Sequence, residues 1–226
     1  FACINMLKIL EFPSCLHLRI VAVCLNYCIP SIAKARNFRA MQNIWSLTER
    51  YTMKIHTFEI LKKKYGRVAS WAIWADSQSS DTSDISIFEG DSLVDSIKMM
   101  NTRFVFVALN ISGPIDVCRP FGNFHGGKRD YMLRDAIKDT VLEGAYMTDI
   151  IKLHPDKNAS SVTSYFKNNP EKLAEHFNTF IDEIDLLGAS RDSVLVALGN
   201  DAHALLERTG TSLKIVKLTH YAAQIK

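Results

Sequence analysis

Short apolar runs alternate with longer amphipathic stretches over most of the chain. Residues 103–109 are almost continuously apolar, with F-V-F-V at 104–107, and a strand without polar alternation belongs inside a sheet covered on both faces. Further strands are expected at 145–151, 193–198 and 214–218. Between them the period changes to that of a helix. Residues 130–143 carry Leu133, Ile137 and Val141 at helical spacing and stop at Gly144, and residues 169–187 start with Pro170 and end at Gly188. Shorter helices are expected at 93–100 and, opened by Asp201, at 202–209. Residues 53–66 form an amphipathic helix that ends at Gly66, with Lys62, Lys63 and Lys64 near the negative end of its dipole. The segment S-W-A-I-W-A at 70–75 is apolar and aromatic, and the polar run 76–84 after it reads as a surface loop. Strand, crossover helix and strand in repetition predict a three-layer α/β/α sandwich with a mainly parallel, four-stranded central sheet.

The first fifty residues break this rhythm. They are rich in cysteine, poor in acidic residues and free of glycine, with no sustained period. Residues 1–52 are therefore read as an amino-terminal extension that contributes nothing to a pocket, and 53–226 as the α/β domain. A chain of 226 residues, 47% hydrophobic and 23% charged, supports one full core and excludes a disordered or collagen-like protein. The net charge of +3 permits a nucleic-acid partner without demanding one, because a backbone binder needs a local basic patch. Cys3, Cys15, Cys24 and Cys28 cluster at the start and Cys118 stands alone, which fits neither a disulfide framework nor paired metal ligands. A reducing, intracellular setting follows, cytoplasmic or, in a prokaryote, nucleoid-associated, with no zinc or iron–sulfur site expected. The apolar stretch 16–29 is interrupted by His17, Arg19 and Asn26 and falls short of the roughly 20 residues of a membrane span, so no membrane partner is expected.

Loops at the carboxyl ends of parallel strands share one crevice, which makes neighbours of Asn110, Asp149, Gly199 and His220. The turn A-L-N-I-S-G-P at 108–114 offers the amide of Asn110, and P-F-G-N-F-H-G-G at 120–127 offers Phe121 and Phe124 as walls of a flat pocket. His125, beside two glycines, is an alternative catalytic histidine. Lys128, Arg129 and Arg134 are candidates for a basic rim that would select nucleic acid over a free metabolite. Each also has a plainer reading: Asn110 as a turn former, Asp149 as a structural cap, the aromatics as core.

In this order the segments resemble the motifs of the uracil-DNA glycosylase superfamily over residues 71–223. A-L-N-I-S-G looks like the first motif, which puts Asn110 on the water-positioning residue, and Phe121 or Phe124 looks like the aromatic that stacks on a flipped base. A-Y-M-T-D-I-I-K at 145–152 resembles the strand that reads uracil, with Asp149 where the family has Asn. V-L-V-A-L-G-N-D-A at 194–202 resembles the family's strand-glycine-helix piece. L-T-H-Y-A at 218–222 resembles the histidine motif, with Tyr221 in place of proline and His220 on the residue that stabilises the departing base. His154-Pro155 has the look of that motif too, but falls too early in the strand order and reads as a loop.

The resemblance implies a DNA glycosylase-like hydrolase, monomeric and without metal or cofactor, acting on a damaged or deaminated base in DNA; a free nucleobase or nucleotide is the other partner considered. Asp149 alters the expected base, because an ionised carboxylate only accepts hydrogen bonds. It would repel the O4 carbonyl of uracil unless protonated, and would receive the amino group of cytosine or adenine. The rival readings are a non-catalytic binding module of the same fold and a nucleotide or nucleoside hydrolase.

Overall fold

One sheet of five strands organises the residues that the computed structural model describes, 53–75, 78–113 and 119–223. The strands are β1 (Ala69–Trp71), β2 (Asn101–Asn110), β3 (Ala145–Ile151), β4 (Val194–Leu198) and β5 (Lys214–Leu218), in the spatial order β1-β3-β2-β4-β5. The four predicted strands are parallel to one another, and β1 runs antiparallel along the outer edge of β3. The expected four-stranded sheet is thus a mixed, five-stranded one. The aromatic segment at 70–75 supplies the extra edge, where Trp71 lies opposite Tyr146 and their rings meet edge to face at 4.8 Å. The amino-terminal segment 1–52 lies outside the described residues.

Among the described residues six helices flank the sheet: α1 (Ile55–Tyr65), α2 (Ser92–Met99), α3 (Asp130–Ile137), α4 (Ala159–Asn168), α5 (Pro170–Leu187) and α6 (Asn200–Arg208). The alternation of side chains along each strand sorts them into two cores. On one face Val105, Val107, Tyr146, Ile150, Leu195 and Ala197 pack with Phe58 and Leu61 of α1, Phe180 and Ile184 of α5, and Leu205 and Leu206 of α6. On the other, Phe104, Phe106, Met147, Val196 and Leu218 pack with Leu133, Ala136 and Ile137 of α3. These are the three layers.

α3 stops at Ile137, short of the expected 143. Asp139 takes a left-handed φ of 58°, and the Thr140 hydroxyl donates to the Ile137 carbonyl at 2.6 Å, so local side-chain hydrogen bonding replaces the helical ladder. Val141, which continued the apolar spacing, is exposed. Helix α4 was not anticipated; its sequence is rich in serine and threonine, and it is fixed by the Asn158 cap on the Ser160 N–H and by the buried Val162 and Phe166.

β3 carries polar groups on both faces. Tyr146, Thr148 and Lys152 follow one another at even spacing on the α5 side, where they meet the fully buried Glu183. The Tyr146 hydroxyl (2.8 Å) and the Thr148 hydroxyl (2.9 Å) donate to Glu183 Oε1, while the Lys152 ammonium is ion-paired to Oε2 and donates to Thr148 Oγ1 at 2.7 Å. Every charge in this network has a partner, as burial demands.

The connection from β3 to β4 passes over β2, so β3 and β4 lie on opposite sides of β2 and the chain winds outward from it in both directions. The carboxyl ends of β2 and β4 are therefore the topological switch point, where a doubly wound sheet leaves a crevice.

Candidate functional site

A crevice of about 560 Å³ opens at this switch point, on the α3 side of the sheet. Strand register brings its residues together. Asp149 is paired with Ala108 across the β2–β3 ladder, and Asn110 stands two residues beyond Ala108 on the same face. His220 stands two residues beyond Leu218, the last residue of β5. Asn110, Asp149 and His220 all line the crevice, with Phe124 and His125 beside them. Gly199, also expected here, adopts a φ of 99° and its N–H donates to the Leu218 carbonyl at 2.8 Å. A Cβ there would stand 3.7 Å from His220 Cβ, so glycine lets the end of β4 support the histidine turn closely.

Asn110 is held by its amide nitrogen. Nδ2 lies 2.9 Å from each of the carbonyl oxygens of Ile111, His154 and Asp156. Three acceptors around one end of the amide fix its orientation, and Oδ1 remains as an acceptor without a partner among the described residues. The His154-Pro155 segment is thus a loop that anchors Asn110, with the His154 ring stacked on Tyr165 at 5.0 Å.

Asp149 is 1% exposed, at the floor of the crevice. Its Oδ2 accepts from Asn123 Nδ2 at 2.8 Å, and no described residue bonds Oδ1. Burial pushes the carboxyl up to about 7, against the pull of the Lys152 ammonium and the Asn123 amide and with a further push from Glu183. Asn123 is a site residue that the sequence reading missed. The signal was available in principle: a buried strand-end carboxylate requires a donor, and Asn123 is the only amide in the loop that faces it.

That raised value has a stability consequence with a definite sign. Between the ordinary carboxyl value of about 3.9 and the folded value of about 7, the folded chain keeps a proton that the unfolded chain has lost. Stability therefore falls as pH rises through this window, by up to about 4 kcal/mol once both states are ionised. Asp149→Asn keeps the acceptor for Asn123 without the charge. It is expected to be more stable than the parent at pH 8 and closely matched near pH 4, as read from urea midpoints at the two pH values. Equal pH dependence in parent and variant would refute the assignment.

His220 offers the opposite valence. Its Nδ1 accepts from the Ala222 N–H at 3.1 Å, so the neutral ring carries its proton on Nε2, which has no described partner. Burial lowers its pKa below the usual imidazole range, partly offset by Asp130. The ring is stacked on Tyr221 at 4.6 Å, and the Tyr221 hydroxyl donates to Asp130 Oδ1 at 2.9 Å. Asp130 also accepts from the Gly127 N–H at 2.7 Å, and a Cβ on Gly127 would meet its carboxylate at that same distance. Tyr221 thus pins the histidine turn to the glycine loop.

The two loop phenylalanines part company. Both have left-handed backbones, φ 65° for Phe121 and 63° for Phe124, strain of the kind that clusters at ligand sites. Phe124 lines the crevice. Phe121 does not: its fully buried ring packs in the opposite core, 5.3 Å from Phe58 and 5.6 Å from Phe88. With only two residues between them and irregular backbone throughout, no period told the two apart.

His125 borders the crevice with both ring nitrogens engaged. Nε2 is 2.9 Å from the Ile73 carbonyl, and Nδ1 is 3.1 Å from Ser70 Oγ and from the Asn123 carbonyl. It fastens the glycine loop to β1 and has no nitrogen to offer a ligand. The expected basic rim is rearranged as well. Lys128 is exposed at the crevice and Arg129 reaches across to the Ala222 carbonyl at 2.6 Å, but Arg134 is buried against the Ser79 carbonyl and Asp135. Arg119, which the sequence reading passed over, joins the rim, with its guanidinium 2.6 Å from the Ser83 carbonyl.

Among the described residues no group of three or more His, Cys, Asp or Glu could hold a metal ion, and no helix is long and apolar enough to cross a membrane. Comparison of the chain with protein-family models, with curated proteins and with solved structures finds no match.

Proposed function

We propose that the crevice binds a nucleobase and that the chain hydrolyses the N-glycosidic bond of a damaged or deaminated base in DNA. The observation that carries this reading is the meeting, in one crevice, of three valences of different kinds without a partner among the described residues: the acceptor Asn110 Oδ1, the donor Nε2–H of neutral His220 and the titratable Asp149 Oδ1. Cleavage of the bond needs an acceptor to orient the attacking water and a donor for the charge that develops on the departing base. Water adds to the sugar carbon and keeps one hydrogen as the new sugar hydroxyl, the carbon–nitrogen bond breaks with its electron pair going to the base, and the proton that the water releases ends on the free base. Asn110 supplies the first requirement and His220 the second, while Phe124 gives the base a face to lie on. The cationic rim of Arg119, Lys128 and Arg129 suits a phosphate backbone. The motif order noted in the sequence points the same way.

One observation favours a second reading. The donors of Asn110 are occupied by loop carbonyls, as they would be in a structural turn, and this suits a module that binds a base without cleaving it. Incubation of the chain with single- and double-stranded oligonucleotides bearing uracil, hypoxanthine or xanthine separates the two. Abasic sites, detected by alkaline strand cleavage, are the expected product. Tight binding with no abasic product on any substrate would replace the hydrolase by the binding module.

A further inference from the structure

At the floor of the crevice Asp149 offers a ligand one oxygen, Oδ1, that has no partner among the described residues. Asn123 is fully engaged: its Nδ2 donates to the Val68 carbonyl and to Asp149 Oδ2, each at 2.8 Å, and its Oδ1 accepts from the Phe124 N–H at 3.1 Å. With two donors and an acceptor all matched, the amide cannot be turned over, and Asp149 Oδ2 is held in the role of acceptor. A proton on Asp149 then sits on Oδ1, the oxygen free to meet a ligand. We propose that Asp149 reads the edge of the ligand through Oδ1 with a proton that follows the ligand, present for a carbonyl edge and absent for an amino edge. This rests on the base-binding reading and adds the ligand class to it: the crevice takes planar heterocycles of both the keto and the amino kind and exchanges one for the other near neutral pH.

The groups around Asp149 allow that exchange. Lys152, just past the end of its strand, and Glu183 of α5 act on it from the other side of the sheet; they are paired with each other, Lys152 drawing the carboxyl down more than Glu183 pushes it up. From the loop after β5 comes Tyr221, whose phenol is raised well above its ordinary value by burial and stays neutral, and beside it His220, which burial keeps neutral at pH 7. The glycine loop touches it through the uncharged Asn123, while its cations Arg119, Lys128 and Arg129 line the same crevice, and Asp130 beyond it is engaged by Tyr221 and Gly127. No charged side chain among the described residues bonds Oδ1. Burial holds the proton until about pH 7, where a ligand's own donor or acceptor decides.

Calorimetric titration of the full chain with free uracil and free cytosine as probes, from about pH 5.5 to about pH 8.5 in two buffers of different protonation enthalpy, tests this. Uracil binding is expected to take up a proton above pH 7, its affinity falling on the order of tenfold per pH unit there. Cytosine binding is expected to release a proton below pH 7, with affinity falling similarly as pH drops. In Asp149→Asn both slopes around pH 7 disappear. Should that variant fail to fold, the opposite proton counts of the two bases on the parent chain still decide the matter. Slopes of the same sign for both bases, or opposed slopes that persist in Asp149→Asn, would overturn the inference while leaving base binding intact. Binding of neither base at any pH would overturn the base-binding reading and this inference with it.

Discussion

Lys152→Met is expected to lower the unfolding free energy by about 3–5 kcal/mol, because it strands the Glu183 carboxylate in the core. For a domain of this size that is a fall in Tm on the order of 10 °C. Glu183 is 0% exposed, and after the substitution its Oε2 would face no cation, with only the Tyr146 and Thr148 hydroxyls left on Oε1. The double variant Lys152→Met, Glu183→Leu removes both charges and should recover most of the loss, since a buried pair is often no better than an apolar replacement of similar volume. Urea denaturation of the parent, the single and the double variant checks both statements. A single variant as stable as the parent would mean that the pair is not buried as described. The same substitution reaches the crevice through the sheet. Lys152 draws the Asp149 carboxyl down, so its loss should move the titration of Asp149 to higher pH.

β3 shows how much of this was legible in the sequence. The run A-Y-M-T-D-I-I-K reads as a strand because apolar residues fall on both of its faces, and the period of two assigns Tyr146, Thr148 and Lys152 to one side and Met147 and Asp149 to the other. Placing Asp149 at a crevice needed only the rule that chemistry gathers at strand ends. That Lys152 would be neutralised by Glu183, a residue on a helix far along the chain, was not legible, because the sequence does not fix which turn of α5 faces the strand. The parallel strands were recoverable for the same reason as β3. β1 was not: three residues carry no period, and its antiparallel pairing is a tertiary contact with Tyr146, Met147 and Thr148.

The site divides along the same line. Asn110, Asp149 and His220 follow regular strands, whose register places them, so position in sequence translates into position in space. Phe121, Asn123, Phe124 and His125 sit in a loop where each backbone conformation is particular, and neighbouring residues serve different purposes: one ring in the core, one amide on a carboxylate, one ring at the crevice, one imidazole as a fastener. The glycines announced an irregular loop without saying which side chain goes where. The rim shows a related limit. Arg134 has the composition of a surface cation, but it lies on the inner face of α3, and helix phase overrides residue type.

His220→Phe is expected to lower kcat on a cleavable base by about 10²–10³-fold while leaving affinity for DNA little changed. The substitution keeps a ring to stack on Tyr221 and removes the Nε2–H, proposed above as the donor for the charge that builds on the leaving base only as the bond breaks. An interaction made in the transition state and not in the ground state appears in kcat and not in binding. Asn110→Ala should behave differently. It removes the acceptor for water, but it also strips the carbonyls of Ile111, His154 and Asp156 of their donor, so loss of turnover should come with loss of stability. Single-turnover rates, DNA affinity and Tm measured together on the two variants separate these cases. In the parent the rate should fall at acid pH, as protonation of His220 displaces the Ala222 N–H from Nδ1 and replaces a neutral donor by a cation; that limb should be absent in His220→Phe. A His220→Phe protein that cleaves at the parent rate would remove the histidine from the mechanism, and would turn attention to Asp149 in its protonated form as a donor in the same crevice.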